Sequence, residues 1–329
     1  MRVLVSGSLA TDHLMVFPGR FADQLIPDQL AHISLSFLVD DLEVRRGGAA
    51  ANLAYGLGRL GLTPRLVGSV GLDFGPYEVR LKEHGVDTDA LRVSETARTA
   101  RYVRVTDGDG NRITTFCPGA MEEAREIDLV TAAGERPDLV VVCANDPEAM
   151  IRHTRWARAG GIPFAAAPGR QLARLTGDQV TELVDGAAWL FTDEAEAARL
   201  TGQTGRTRAD ILAGVGTWVT TLDQGGARLE RRGESALLVP AVPRGRATDP
   251  PGAGAGFLAG FLAAVAAGLP PVAAGRLGCA VAASVQDTLG SEEYDVGPEL
   301  LAERLRDAYG PGAAEELRAV QGLVLGRAT

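Results

Sequence analysis

Residues 247–265 read ATDPPGAGAGFLAGFLAAV: two prolines, a short alternation of glycine and alanine, then an apolar run with helical character. Glycines let successive backbone N–H groups turn toward one point, and the start of a helix adds about half a positive charge there. Residues 249–256, DPPGAGAG, therefore read as an anion cradle opening a buried helix. A lone glycine loop reads equally well as a tight turn before a core helix, so the flanking pattern has to decide.

Working outward, residues 1–8 form a short apolar strand running into a glycine turn, the usual opening of an α/β domain. Gly47 and Gly48 start the small-residue segment GGAAANLAYGLGRLG, a helix expected to end at Gly61. Before it, HISLSFLVDDLEV alternates like one or two half-exposed strands. The segment between Ala97 and Thr115 holds two β-rich runs joined by Asp107-Gly108-Asp109-Gly110-Asn111, which predicts a hairpin. Strand and helix units then repeat through PDLVVVCAND, IPFAAAP, AAWLFTDEAEAARL and WVTTLDQGGARLERRGE. This alternation predicts a mainly parallel sheet with helices on both faces and ligands at the carboxyl ends of its strands. The chain thus reads as one α/β domain over residues 1–329, with a small β lid inserted from about 13–45 and 97–118.

Composition agrees with a soluble globular protein: 46% hydrophobic and 23% charged residues, with a mean hydropathy of +0.04. A net charge of −9 and a pI near 5.1 argue against nucleic-acid or anionic-membrane partners. The apolar stretch 256–285 is interrupted by Pro270, Pro271 and Arg276, so two buried helices explain it better than a membrane span. Three scattered cysteines, Cys117, Cys143 and Cys279, and the lack of a signal-like start point to a reduced, cytoplasmic setting. His13, His32, His84 and His153 show no metal-ligand spacing.

Several side chains could carry chemistry. Asp12, just past the first strand, could accept two hydrogen bonds from a vicinal diol, or could simply be a loop residue or cap. Asn52 is a ligand contact or an ordinary helix amide. Tyr102 and Phe116 lie on the two arms of the predicted hairpin, where they could stack on a flat base or pack the hairpin.

In order, GSLATDHL, RRGGAAANLA, TARYV with TFCPGAM, ANDPEAM, QLARL, LFTDEAE, VTTLDQGGARL and TDPPGAGAGF resemble the PfkB or ribokinase family, closest in pattern to actinobacterial adenosine kinases. The resemblance spans essentially the whole chain. It implies a ribokinase-like three-layer α/β sandwich with a β lid, and ATP-dependent phosphotransfer, with Mg2+, to the 5′-hydroxyl of an adenosine-like purine nucleoside or related sugar. It implies that Ser8, Asp12, Ser36, Gly48 and Asn52 surround the ribose, that Tyr102 and Phe116 sandwich the base, and that Gln171 touches it. Gly252, Ala253 and Gly254 match the anion hole for the transferring phosphoryl group. Asp193, Glu196, Thr221, Asp223, Gly226 and Asp249 fall in nucleotide-binding segments, with Mg2+ near Glu196 and no dedicated metal site. Relatives dimerise through the lid, so a homodimer is a further expectation.

The sequence departs from the family inside this cleft. The family loop ends in an Asp that accepts the proton of the attacking hydroxyl, and Ala255 stands at that position. Ala167 replaces an Asp, Arg170 a Gln and Asp223 a Gly, while the usual Asn-x-x-Glu is Asp193-Glu194-Ala195-Glu196. General-base catalysis contributes about 10²- to 10⁴-fold, so an impaired kinase is expected. A non-catalytic nucleoside-binding protein and a cleft re-used for other nucleoside chemistry are the alternatives.

Overall fold

The computed structural model describes residues 1–25, 32, 34–243, 252–288 and 292–325. Its strands are β1 (Val3–Ser6), β2 (Ala10–Val16), β3 (Leu42–Gly47), β4 (Arg65–Val67), β5 (Ser69–Gly71), β6 (Arg92–Ser94), β7 (Ala100–Thr106) and β8 (Arg112–Cys117). They continue with β9 (Leu139–Cys143), β10 (Phe164–Ala167), β11 (Trp189–Asp193), β12 (Thr217–Thr221), β13 (Ala227–Glu230) and β14 (Leu237–Val239). Eight of them form one sheet in the order β14-β13-β12-β11-β10-β9-β1-β4, parallel except at β13 and β14.

The central strands are buried on both faces, as parallel strands covered by helices must be. Along β9, Leu139, Val141 and Cys143 enter one core while Val140 and Val142 enter the other. Helices α1 (Ala49–Arg59), α4 (Ala253–Ala266) and α5 (Pro271–Gln286) bury residues in the first core. Helices α2 (Pro147–Ala159) and α3 (Glu194–Thr204), with the helix Gly177–Val184, bury residues in the second. This is a three-layer α/β sandwich, the architecture the family resemblance implies.

Small residues set the spacing in the first layer. A Cβ on Gly260 of α4 would lie 2.6 Å from the Leu277 carbonyl oxygen of α5, so these helices touch backbone to backbone. The apolar stretch 256–285 is indeed two packed helices, and among the described residues no helix is long and apolar enough to cross a membrane.

A second sheet, in the order β3-β2-β7-β8, projects from the body. The hairpin expected around 107–111 joins β7 to β8, and Asp107 organises it. Its carboxylate accepts the backbone N–H groups of Asp109 (3.0 Å), Asn111 (2.8 Å) and Phe21 (2.9 Å). HISLSFLVDDLEV is strand only from Leu42 onward; residues 34–41, despite their alternation, form no strand with any described residue. The helix at 49 begins as expected and ends at Arg59, with Gly61 at φ +84 beyond it. Cys143 and Cys279 are buried free thiols and Cys117 is an exposed one.

Candidate functional site

The carboxyl ends of β9, β10, β11 and β12 open into a cavity lined as well by Ala49 at the start of α1 and by Gly254 and Ala255 of α4. The N-terminal loop is pinned there by its own backbone. The Gly7 N–H donates to Val67 O (3.1 Å) and the Ser8 N–H to Ala144 O (2.9 Å), tying the loop to the ends of β4 and β9. Ser8 then caps α1: its Oγ accepts the Ala49 N–H at 3.1 Å and its carbonyl accepts the Ala50 N–H at 3.1 Å. Gly48, just before the helix, has φ +103, and a Cβ there would strike Leu9 Cα and Ser8 O at 2.6 Å. Only glycine fits that crossing. Asn52 is buried in the first turn of α1.

The second sheet presents one face in two rows. Asp12 on β2 stands opposite Arg45 on β3 and Tyr102 on β7, and Tyr102 stands opposite Phe116 on β8. Directly paired residues share a face, so Arg45, Asp12, Tyr102 and Phe116 form one row. The next row on that face is Glu43, Leu14, Arg104 and Thr114. Tyr102 is half-buried and Phe116 exposed at 42%. From the body, the 3-10 turn Gly169–Arg174 brings Arg170 over the Tyr102 ring, 5.7 Å from its centroid. It also buries Gln171, whose Oε1 has no hydrogen-bond partner among the described residues.

Electrostatics single out Asp12. Burial pushes its carboxyl up to about 6, against the opposing pull of Arg104, Arg170 and Arg45. Burial would also raise the Tyr102 phenol, but hydrogen bonds with Thr114 and Arg170 and the nearby guanidiniums bring it below the usual range.

At the other end of the cleft, Gly252 takes a left-handed conformation (φ +112) and opens α4. Ala253 and Gly254 line a cavity of about 440 Å³ together with Asp193, Thr221, Asp223 and Gly226. Asp223 has φ +48, the one non-glycine residue with positive φ among the described residues. Glycine is the residue that occupies such a conformation without cost. Gly254 and Ala255 line a smaller, adjoining cavity of about 190 Å³ with Ala167, Thr221, Asp193 and Glu196. Ala255 therefore presents a methyl group to this cavity, and Glu196 borders the same cavity.

Asp193 and Glu196 have a local task as well. They form a reciprocal capping box at the start of α3: the Glu196 N–H donates to Asp193 Oδ1 (2.6 Å) and the Asp193 N–H to Glu196 Oε2 (3.0 Å). Burial, with Asp193 beside it, raises Glu196 to about 7. Among the described residues no three His, Cys, Asp or Glu side chains converge to hold a metal ion. Asp193 and Glu196 are carboxylates that line the smaller cavity together.

The structure thus gathers Ser8, Asp12, Gly48, Asn52, Tyr102 and Phe116 around the loop and the second sheet. It gathers Gly252, Ala253, Gly254, Ala255, Asp193, Glu196, Thr221, Asp223 and Gly226 around α4 and the ends of β11 and β12. Ser36 is exposed, outside any helix or strand, and makes no hydrogen bond to a described residue. Asp249 lies outside the described residues. Sequence reasoning passed over Arg45 and Arg104; the alternation of RYVRVT, which puts 102 and 104 on one side of a strand, was the available signal.

Residues 11–293 match the pfkB family of carbohydrate kinases. The nucleoside kinase of Methanocaldococcus jannaschii is 28% identical over 248 residues, covering 75% of this chain and 80% of that one. The structure of the Burkholderia thailandensis nucleoside kinase in complex with inosine superposes with a TM-score of 0.84 at 30% identity, covering 94% of this chain and 98% of the other. Its complex with ADP-inosine gives 0.82 at 31% identity, covering 94% and 96%. With a match that takes in most of its length, and with a fold that superposes nearly end to end, the chain belongs to the pfkB family of carbohydrate kinases.

Proposed function

We propose that this protein is an ATP-dependent nucleoside kinase that transfers the γ-phosphoryl group of ATP to the 5′-hydroxyl of a purine nucleoside, and does so slowly. The observation that carries the reading is the approach of two half-sites, bridged by Arg170, which lines a cavity with Asp193 and Glu196 and lies over the Tyr102 ring. A buried carboxylate and an aromatic row, Asp12, Tyr102 and Phe116, face the body from the second sheet. A helix start of backbone N–H groups, at Gly252, Ala253 and Gly254, faces a cavity large enough for nucleotide phosphates. The relatives named nucleoside kinases, and the neighbour bound to inosine and to ADP-inosine, support the same assignment.

In this reading Asp12 accepts the ribose hydroxyls, and Tyr102 and Phe116 contact the base. The α4 start stabilises charge on the phosphoryl oxygens as they move, which is the larger part of catalysis in phosphoryl transfer. Magnesium, arriving with ATP, would neutralise the phosphates beside Asp193 and Glu196. What is missing is a side chain at 255 that takes the hydroxyl proton. That loss corresponds to about 10²- to 10⁴-fold in rate, or ~3–5 kcal/mol of barrier.

The same methyl group favours a second reading, a protein that binds a nucleoside without turning it over. Purified protein with Mg2+, ATP and inosine or adenosine decides between them. Slow formation of the 5′-monophosphate, with Ala255→Asp raising kcat by about 10²- to 10⁴-fold, is expected of the kinase. Nucleoside binding that Asp12→Ala abolishes, without product in either protein, is the outcome of the second reading. Failure of any nucleoside to bind overturns both.

A further inference from the structure

Gly47, the last residue of β3, is held from two sides. On one side its backbone presses on Asp12: a Cβ there would collide with both carboxyl oxygens. On the other, its carbonyl oxygen lies 3.1 Å from the hydroxyl of Tyr77, which sits on the helix Gly75–Glu83. The same hydroxyl reaches Oε1 of Glu292, a residue of the segment after α5 that is only 3% exposed. When Glu292 is ionised both neighbours of Tyr77 are acceptors, yet a phenol has one proton to give. The two bonds coexist only if Glu292 is itself the donor to the Tyr77 oxygen, which leaves the phenol proton for Gly47. Glu292 Oε2 is buried with no hydrogen-bond partner among the described residues, an environment that suits a neutral acid better than a carboxylate.

The charges around this chain of groups are mixed. Burial raises Glu292 to about 7, against the hydrogen bond with Tyr77 and the pull of Arg46 on β3 and Arg80 on the Tyr77 helix; Asp12 on β2 adds to the rise. Tyr77 and Tyr294, the phenols beside it, are both pushed well above the usual range by burial, so neither ionises in the same interval. Asp12 in turn is drawn toward its charged form by Arg104, Arg170 and Arg45. We propose that Glu292 and Tyr77 are positioning residues for the substrate: a proton on Glu292 lets Tyr77 hold Gly47, and Gly47 fixes the Asp12 carboxyl that receives the nucleoside. When Glu292 gives its proton to solvent, the Tyr77 hydroxyl turns to the new carboxylate and the Gly47 carbonyl loses this donor. The new charge also opposes ionisation of Asp12, the form that accepts two ribose hydroxyls. The inference rests on nucleoside binding at Asp12 and adds a second requirement to it.

Calorimetry of inosine binding to the full chain, in a pH series at fixed ionic strength, reads this requirement directly. Affinity is expected to fall about tenfold or more between pH 6.5 and pH 8.5, as one proton is released. Glu292→Gln, whose amide donates to Tyr77 at every pH, is expected to abolish that fall. Tyr77→Phe removes the donor to Gly47 and is expected to bind about tenfold more weakly at pH 6.5, with little further loss at pH 8.5. A role confined to packing would weaken each variant by the same factor at every pH and leave the fall in place, which overturns the inference. Equal affinity at pH 6.5 and pH 8.5 in the unsubstituted protein also overturns it and leaves the nucleoside reading standing. Inosine bound at no pH ends both.

Discussion

Asp12 is asked to be buried and charged at once. Its carboxyl, 6% exposed, titrates at about 6 instead of 3.8 because burial outweighs three nearby guanidiniums. The folded state therefore holds a proton that the unfolded state has released between those two values. Stability falls as pH rises through that window and stays lower above it. A shift of about two units corresponds to at most ~3 kcal/mol. Asp12→Asn should raise the melting temperature at pH 7.5, by the equivalent of about 1–3 kcal/mol, while removing nucleoside binding. A lower melting temperature in that variant would show that the charge stabilises the fold. Asp223 is a second such residue, strained at φ +48 beside the phosphate cavity. Asp223→Gly should stabilise the protein by about 1 kcal/mol in thermal or urea unfolding and tighten ATP, because it relieves the left-handed backbone and withdraws a negative charge.

Among the elements, α4 joins stability to function. Its first turn is the proposed anion hole, and one turn or two later Gly260 sits against the α5 backbone. Gly260→Ala must push the two helices apart and tilt the first turn of α4. A loss of about 1–3 kcal/mol in urea unfolding is expected, with ATP binding weakened as well. Unchanged nucleotide affinity would show that the helix start is held independently of its packing. The elements were also where sequence reasoning was strongest. The all-apolar LVVVC, the glycine-rich helix from 49 and the hairpin at 107–111 each carry a local cause, so strand burial, helix start and turn were legible. Residues 34–41 misled because period-two alternation is necessary for a strand but does not supply a partner. The approach of Arg170 to Tyr102 was hidden for a related reason: the two lie far apart in sequence, and only the fold brings the guanidinium over the ring.

For the whole molecule, proton binding to buried groups sets how stability varies with pH. Burial raises Glu196 and Glu292 to about 7, as it raises Asp12 to about 6, so all three hold protons in the folded state that they lose when unfolded. Buried His153, hydrogen-bonded to Ser6 at 2.6 Å, is lowered to about 4 and works the other way. It is neutral when folded and protonated when unfolded between about 4 and 6.5, so it erodes stability only as pH falls below 6.5. Above that point the carboxyls act alone. The melting temperature should therefore drop between pH 6 and pH 8 in a buffer series at fixed ionic strength; a rise over that interval would contradict the burial of these carboxyls.

The pairing of β2 with β7 has a consequence for how the protein comes to be folded. The two strands lie parallel and in register, yet residues 17–99 separate them in the chain. Closing so long a loop is entropically expensive and is rewarded only after the intervening segments have found their places. The row that would receive the substrate is thus among the last surfaces to be assembled. Trp156, Trp189 and Trp218 all belong to the main sheet or to a helix covering it, so their fluorescence should recover in refolding before a ligand can bind. During that lag the body is built and the pocket is not, so a nucleoside added at the start of refolding cannot hasten the early phase and can only trap its final product.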